Sequence, residues 1–496
     1  MFSEHYPVLV IIAPLIAAPL CVLLRNRTLA WLTAAVANVI AVAAAYGLLQ
    51  QVIGGEVIRY DLGGWAAPSG IEYVVDAVNA SVALVVAMIS LIVLVYASAS
   101  ASREIPSDKH YLFYCAWMLC LCGLLGIVLT GDAFNVFVFL EVSSLSTYLL
   151  ISLGRERNSF TASFRYLIMG SIGASFILIG IGFLFAATGT LNMLDLAERI
   201  PEAESQRTVL IAFSFLTVGL MIKAAVFPLH AWLANAYQYA PSAVTAFLAG
   251  TATKVSLYVL LRFFFTIFGA EYSFGQMLLT NVLLPAAVVG YVLMSLVAVF
   301  QTDLRRMLAY SSVAQLGYIV AGISMVSVTG LTAGIVHIFN HALIKSALFM
   351  AVGCIIYRVG HAHIPSLPHL IRSMPITVIA FIVAGFSLIG VPLTAGFISK
   401  FTLLNGAMEQ GWWLIAASIL LSSLLAVVYI SRAAEVMLFQ RSRTSEPLPT
   451  GRMEAPLSML IPMWLTIGLS LWLGLNGSWT LNVATVAAEQ LLGAGQ

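Results

Sequence analysis

The stretch FNVFVFLEVSSLSTYLLIS, residues 134–152, is long and apolar enough to cross a lipid bilayer, yet Glu141 lies near its centre. A membrane-spanning helix needs about 20 predominantly apolar residues. A charge at the bilayer centre costs about 2.5–3.5 kcal/mol on insertion scales, so it is normally kept inside a helical bundle, paired or hydrated. The stretch therefore predicts a membrane helix whose glutamate faces polar partners.

The rest of the chain has the same apolar character. Of its 496 residues, 61% are hydrophobic and only 9% are charged, and the mean hydropathy is +0.99. Such values exclude a soluble globular protein, and the apolar runs lack the alternation of a membrane barrel. We therefore predict an all-α polytopic membrane protein. About fourteen transmembrane helices are expected, near residues 6–24, 28–51, 74–97, 110–128, 132–153, 160–187, 208–235, 241–266, 275–300, 304–326, 329–357, 374–405, 411–439 and 455–476.

Several classes of site are not indicated by the sequence. The net charge is +2 and no basic block is present, so no nucleic-acid partner is expected. The five cysteines lack metal-type spacing, and we find no nucleotide-binding loop and no dinucleotide fingerprint. We expect no cofactor, no metal centre and no catalytic centre in this chain. Uphill ion movement would then draw its energy from an ion gradient or from partner subunits.

Loop charges predict the orientation, because cytoplasmic loops carry an excess of Lys and Arg. With the N-terminus outside, fifteen basic residues fall on the inward side and three on the outward side. This distribution favours an even number of spans in the cell (inner) membrane, with both termini on its outer side. The inward set is Arg25, Arg27, Arg103, Lys109, Arg155, Arg157, Arg165, Arg305, Arg306, Arg358, Arg372, Arg432, Arg441, Arg443 and Arg452, and the outward set is Arg59, Arg199 and Arg207. Arg262, near the outer end of span eight, is interpreted as a snorkelling exception.

Two spans are unusual: span seven holds Pro228, and span twelve holds Pro392 with Gly385, Gly390 and Gly396 around it. Proline removes a backbone donor and clashes with the preceding turn, so both helices are expected to break within the membrane. Interrupted spans five apart suggest two inverted five-helix repeats. We divide the chain into residues 1–109 with spans one to three, 110–270 as the first repeat, 271–440 as the second repeat, and 441–496 with a cytoplasmic loop, span fourteen and a C-terminal tail.

Four lysines fall within predicted spans: Lys223, Lys254, Lys345 and Lys400. Together with Glu141 they predict a buried polar axis. Burial and an opposite neighbouring charge shift a pKa in opposing directions, so a group under both influences can change protonation when its partner moves. That property suits a proton relay. The alternative is a set of fixed ion pairs that only hold helices together.

In span eleven, His337, His341 and Lys345 follow one another at four-residue intervals and share a helical face. Histidine titrates near neutral pH, so this face is typical of relay stations. A zinc site is the first alternative, but the helix offers no third ligand at suitable spacing and the ammonium would repel the ion. Core histidines bonded to carbonyls are the second alternative.

Three further residues are secondary candidates for proton transfer. His230 lies two residues after Pro228, where it can satisfy the broken helix or join the relay. Asp76 and Asp132 lie at the outer ends of spans three and five, where a charge is less costly.

Five segments resemble, in the same order, the antiporter-like subunits of Mrp-type cation/proton antiporters, respiratory complex I and membrane-bound hydrogenases. They are FLEVSSLSTYLLISLG (139–154), MIKAAVFPLHAWLANAYQYAPSAVTAFLAGTATKVSLY (221–258), QTDLRRMLAYSSVAQLGYI (301–319), HIFNHALIKSALF (337–349) and GFSLIGVPLTAGFISKF (385–401). By length and motif wording the chain is most similar to the D-type subunits of Mrp antiporters. The resemblance implies fourteen helices, two inverted repeats and a hydrated central axis.

The resemblance also implies roles for individual residues. Glu141 and Lys223 correspond to the family's ion pair, Lys254 to the next lysine, and Lys400 to the terminal residue of the second half-channel. The group His337, His341 and Lys345 corresponds to the bridge between them. The implied function is proton translocation beside other integral membrane subunits, with sodium or potassium as the exchanged ion. The alternative is a proton-pumping subunit of a complex I-like oxidoreductase or hydrogenase.

Overall fold

The computed structural model describes residues 3–154, 156–440 and 453–493, and this part of the chain is almost entirely helical. The described α-helices are α1 Tyr6–Leu24, α2 Arg27–Val52, α3 Ala77–Glu104, α4 His110–Leu129, α5 Ala133–Ser152, α6 Arg157–Thr188, α7 Met193–Arg199, α8 Gln206–Lys223, α9 Ala231–Tyr239, α10 Ser242–Gly250, α11 Ala252–Leu261, α12 Thr280–Val299, α13 Leu304–Ser324, α14 Val328–Val359, α15 Leu370–Ser373, α16 Pro375–Ile389, α17 Ala395–Glu409, α18 Trp413–Leu438, α19 Leu457–Leu475 and α20 Gly477–Leu492.

Thirteen helices in the described ranges are long and apolar enough to cross a membrane. The fourteenth crossing is made by α16 and α17 together, since α16 alone has only 15 residues, about 22 Å of helix. The expectation of an all-helical membrane protein with about fourteen spans is therefore confirmed. One addition is a small antiparallel sheet, β1 Ile58–Asp61 paired with β2 Glu72–Val75, in the loop before α3.

Successive crossings give the bundle two ends. The sheet lies at one end, which we call the hairpin face, where His5 Nδ1 bonds the Tyr60 hydroxyl at 3.1 Å. Basic side chains gather at the opposite end, which we call the arginine-rich face, and tie neighbouring helices together there. Arg27, for example, donates to the Ser98 carbonyl at 2.6 Å. Arg155, Arg441, Arg443 and Arg452 of the expected inward set lie outside the described residues.

A pair of backbone clasps shows the internal repeat. Beside α5, the Ala133 N–H bonds the Leu191 carbonyl and the Met193 N–H bonds the Gly131 carbonyl, both at 2.8 Å. Beside α13 the same two bonds recur between residues 304 and 362 and between 364 and 302, at 2.9 and 2.8 Å. Each of the four residues of the second clasp lies 171 positions after its counterpart in the first clasp. The first clasp lies at the hairpin face and the second at the arginine-rich face, because five crossings separate them, so the repeats are inverted.

The expected breaks in spans seven and twelve are present. Residues 224–230, with Pro228, separate α8 from α9, and residues 390–394, with Pro392, separate α16 from α17. Span eight has a further break that no proline marks: Thr251, at φ −123° and ψ −65°, interrupts the helix between α10 and α11. All three interruptions free backbone carbonyls inside the bundle.

Candidate functional site

Glu141 and Lys223 form an ion pair between α5 and the end of α8. Lys223 Nζ donates to Glu141 Oε1 at 3.2 Å and to the Ser144 hydroxyl at 2.9 Å. The Lys223 side chain is 4% exposed, whereas that of Glu141 is 27% exposed. Ser144 lies about one turn after Glu141 on α5, so one helix supplies both oxygens. The pair predicted from the sequence is therefore in direct contact.

The break after Lys223 fixes where that ammonium can reach. Ala225 has a positive φ of 54°, which turns the chain out of the helix before Pro228. The freed Ile222 carbonyl accepts a hydrogen bond from the Trp232 indole at 2.9 Å. His230 stacks on the Phe227 ring, with centroids 5.4 Å apart. Its Nδ1 is buried without a partner among the described residues, and no described contact joins it to the ion pair.

Lys254 lies just after the break in span eight and is 2% exposed. Its Nζ donates to the Ala249 carbonyl, in the last turn of α10, and reaches the Thr253 hydroxyl at 3.4 Å. The break at Thr251 therefore supplies the acceptor. No hydrogen bond within the described ranges links Lys254 to the Lys223 group.

The two histidines of α14 are buried and stacked on each other, with ring centroids 5.7 Å apart and planes within 5°. His337 is held on both sides, by Ser399 at 2.8 Å and by Gln315 at 3.0 Å. Both ring nitrogens of His341 lack a hydrogen-bond partner among the described residues. An unpaired buried imidazole costs free energy unless water reaches it.

Lys345 completes the α14 face and is fully buried. Its Nζ donates to the Leu308 carbonyl at 2.9 Å and to the Ser311 hydroxyl, both on α13. The charges of Lys254 and Lys400 both act on it. The three members of the predicted bridging group thus lie on one helix, but Lys345 is held by α13 rather than by the histidines.

Lys400 lies on α17, just after the break in span twelve. Its Nζ donates to the carbonyls of Leu388 and Ile389, both at 2.9 Å, which are the last two residues of α16. The ammonium also lies 5.0 Å from the centroid of the Tyr318 ring. It neighbours His337 through Ser399, the residue before it in the chain. The break in span twelve thus supplies acceptors for Lys400, just as the break in span eight supplies one for Lys254.

Among the described residues, Lys223 is the one member of the four lysines with a carboxylate partner. The other three are held by carbonyl and hydroxyl oxygens, and Lys400 also lies over the Tyr318 ring. Such oxygens solvate an ammonium and also tolerate a neutral amine, because no fixed negative charge is left unpaired when the proton leaves. The described residues contain no cluster of three or more metal-ligating side chains.

The secondary candidates Asp76 and Asp132 act as helix caps at the hairpin face. Asp132 Oδ1 accepts the Asn135 N–H at 2.7 Å at the start of α5. Burial raises the pKa of the Asp132 carboxyl, against the opposing effect of that bond. Asp76 caps α3 in a capping box with Asn79. Neither carboxylate contacts the four lysines in the part of the chain that the structure describes.

Arg262 is not a snorkelling residue, contrary to the sequence interpretation. Its guanidinium forms an ion pair with Asp76 and donates to the Tyr258 hydroxyl at 2.8 Å. The two charged side chains are 12% and 11% exposed. A carboxylate 186 residues away in the chain satisfies the arginine inside the protein, so it need not extend to the membrane surface.

Replacing Arg262 by Met is expected to lower the free energy of unfolding by about 3–5 kcal/mol, because it leaves the Asp76 carboxylate buried without its cation. The measurement is equilibrium unfolding of the purified subunit in detergent. The double variant Asp76→Asn, Arg262→Met should recover part of the loss, since asparagine still caps α3. Equal losses in the single and double variants would show that the unpaired Asp76 carboxylate does not cause the loss.

Sequence reasoning missed the polar side chains that hold the central residues. Gln315 and Ser399 bond His337 from α13 and α17, and Ser311 bonds Lys345. Gln315 and Ser311 both lie in the segment 301–319, where polar residues inside an apolar span were the available signal. Their partners could not be read from spacing, because each contact joins different helices.

The fold and these contacts define a class. A helical membrane protein with inverted repeats, interrupted helices and buried ionisable side chains beside the interruptions has the architecture of an ion-transport protein. A family model described as "NADH:quinone oxidoreductase/Mrp antiporter, TM" matches residues 130–426. The chain belongs to this family.

Individual relatives cover nearly the whole chain. "NADH-quinone oxidoreductase subunit N" of Desulforudis audaxviator (strain MP104C) is 40% identical, covering 94% of this chain and 95% of its own. The D-type subunit of the Na(+)/H(+) antiporter of Bacillus subtilis (strain 168) is 30% identical, covering 99% and 97%. A chain in the structure of the Mrp complex from Dietzia sp. DQ12-45-1b superposes with a TM-score of 0.91 at 27% identity, covering 100% and 98%. The family resemblance seen in the sequence is confirmed.

Proposed function

We propose that this chain is the proton-translocating subunit of a multisubunit Mrp-type monovalent cation/proton antiporter. The observation that carries the proposal is the ion pair of the buried Lys223 with the partly exposed Glu141, together with three further buried lysines that have no carboxylate partner among the described residues. The similarity to an Mrp complex subunit over the full chain supports this kind of assembly. The chain itself needs no redox centre to move a proton between such groups.

The proton route begins at the Glu141–Lys223 pair and continues through Lys254, the His337, His341 and Lys345 group, and Lys400. Separation of the pair leaves the Lys223 ammonium with one hydroxyl partner, Ser144, and so favours release of its proton. His341, with both nitrogens unpaired among the described residues, accepts or passes the proton through water. Each step needs only the oxygen and nitrogen atoms that already line the breaks.

Like charges couple the steps to one another. The charges of Lys254, Lys345 and Lys400 all act on His341, and those of Lys254 and Lys400 act on Lys345. A proton that arrives at one of these groups raises the free energy of protonating the next. Occupation of one lysine therefore promotes discharge of its neighbour. Electrostatic coupling of this kind can carry a change at the ion pair to the other half of the bundle.

The exposed face of α5 supports an integral membrane partner. Glu141 lies on the same side of α5 as Phe134, Val138, Leu145 and Leu149, which are 40–57% exposed. A partly exposed carboxylate within an apolar stripe is costly against lipid. A neighbouring membrane subunit would cover it. We place the assembly in the cell membrane, with the arginine-rich face toward the cytoplasm and the termini outside, by the positive-inside rule.

The direct test uses the complete complex in a bacterial host that lacks its own antiporters. Everted membrane vesicles carry a fluorescent reporter of the transmembrane pH difference, and sodium or potassium salt is added. The proposal expects cation-dependent collapse of the pH difference that is absent from vesicles without the complex. A fully assembled complex that gives no collapse with either ion would overturn the proposal.

A second candidate function is that of a proton-pumping membrane subunit in a complex I-like oxidoreductase or a membrane-bound hydrogenase. The 40% identity to a quinone oxidoreductase subunit favours it. The two functions differ in their partner subunits. Affinity purification from the native membrane would recover iron–sulfur subunits in the second case and only further antiporter subunits in the first.

A further inference from the structure

Two half-helices of the bundle, α10 and α16, each lie between a carboxylate and an ammonium. At the start of α10, Glu104 Oε2 accepts the Ser242 N–H at 2.7 Å and the Ser242 hydroxyl at 3.0 Å. At its end, Lys254 Nζ donates to the Ala249 carbonyl. The carboxylate belongs to α3 and the ammonium to α11, so neither charge is part of the helix that it contacts.

The arrangement recurs at α16 in the second repeat. Glu454, which precedes α19, accepts from the Thr377 hydroxyl at 2.7 Å and from the Ile376 N–H at 2.5 Å. At the other end, Lys400 binds the Leu388 and Ile389 carbonyls. Among the described residues, the N-cap positions of both half-helices provide no side-chain cap of their own. The carboxylates therefore supply it from other elements.

Each of these contacts has the favourable sign for the helix dipole. The first turn of a helix carries partial positive charge and the last turn partial negative charge, so an anion is stabilised at the start and a cation at the end. Both carboxylates lie toward the arginine-rich face, and both ammonium groups lie at interruptions inside the bundle. A short helix thus joins each surface-side carboxylate to one buried lysine.

We propose that Glu104 and Glu454 are positioning residues that hold α10 and α16 in place and, through these half-helices, favour the protonated form of Lys254 and Lys400. The proposal rests on the proposed function, because the two lysines are the groups whose protonation it tunes. The carboxylates themselves touch neither lysine.

Other charged side chains lie near the two carboxylates and the two lysines and contribute to the electrostatic potential there. Arg103, Arg305 and Glu156 line, with Glu104, a cavity of about 250 Å³ at the arginine-rich face. The Arg305 guanidinium lies 3.8 Å from Glu156, and the Arg358 guanidinium bonds the Glu454 carbonyl. Lys345 and His341 interact electrostatically with both Lys254 and Lys400 inside the bundle. The test must therefore separate the effect of the helix from that of this general field.

The decisive variant is Glu104→Gln, which keeps an oxygen for Ser242 but removes the charge. The nine residues of α10 span about 13 Å. Loss of a charge at that distance is expected to move the pH profile of cation-dependent transport in everted vesicles to lower pH by roughly 0.5–1 unit. Glu454→Gln should give a shift in the same direction of roughly half that size, because α16 is about 22 Å long.

Two control variants separate the effect of α10 from that of the surrounding charges. Glu156→Gln removes a carboxylate from the same cavity without touching α10, and should leave the profile where it is. Glu104→Ala removes cap and charge, and should lower the amount of assembled complex as well as shift the profile of what remains. An unshifted profile in assembled Glu104→Gln, or an equal shift in Glu156→Gln, would overturn the proposal while wild-type transport still upholds the proposed function. If Glu104→Gln does not assemble, Glu454→Gln decides by the same criterion.

Discussion

Glu141→Gln is expected to reduce cation/proton exchange by roughly 100-fold or more, the scale on which positioned proton-transfer groups act. Gln keeps the size of the side chain and an oxygen for the Lys223 ammonium, which now lies 3.2 Å from the carboxylate. It removes the negative charge that stabilises a cation in a side chain only 4% exposed. Transport is measured in everted vesicles, and subunit content by immunoblotting.

The matched control is Glu435→Gln, which neutralises an exposed carboxylate on α18 far along the chain from the pair. Its transport should stay near that of the wild type. Lys223→Ala should reproduce the loss seen in Glu141→Gln, and the two changes together should cost no more than either alone, because they act on one interaction. Normal exchange in assembled Glu141→Gln would remove the ion pair from the mechanism.

Much of the fold could be predicted because the membrane imposes it. Length and apolar composition indicate the spans, since only helices and closed barrels satisfy the backbone there, and the apolar runs lack the alternation of a barrel. Pro228 and Pro392 revealed two interruptions through the same chemistry. The break at Thr251 was not predicted because no proline marks it. It nevertheless supplies the acceptor for Lys254.

The candidate site, too, could be predicted only in part from the sequence. Glu141, Lys223 and Lys400 stood out because charged residues are rare and costly inside spans. The contacts between charged residues and distant partners could not be predicted. Asp76 pairs with Arg262, 186 positions away, and Glu104 bonds Ser242, 138 positions away. A side chain that meets its partner across helices leaves no periodic signal. Arg262 was consequently misread as a residue that reaches the membrane surface alone.

Lys223 in the first repeat and Lys400 in the second repeat are held by different kinds of partner. In the first repeat Glu141 holds Lys223, whereas in the second repeat α16 holds Lys400 by its carbonyls. The residue at the 171-residue displacement from Glu141 is Ser312, a hydroxyl without charge. Lys223 therefore has a charged counter-ion, whereas Lys400 is held by carbonyl dipoles.

Lys400→Arg is expected to abolish transport as completely as Lys400→Met, by roughly 100-fold or more, because an arginine does not release its proton in a protein. This pair of variants separates two roles. A guanidinium can still bond the Leu388 and Ile389 carbonyls that the ammonium holds at 2.9 Å, and it can lie over the Tyr318 ring. A purely structural Lys400 would therefore tolerate Arg but not Met. Lys109→Arg, outside the predicted axis, is the matched control and should remain active. Wild-type exchange in an assembled Lys400→Arg complex would show that Lys400 holds the broken helix without carrying protons.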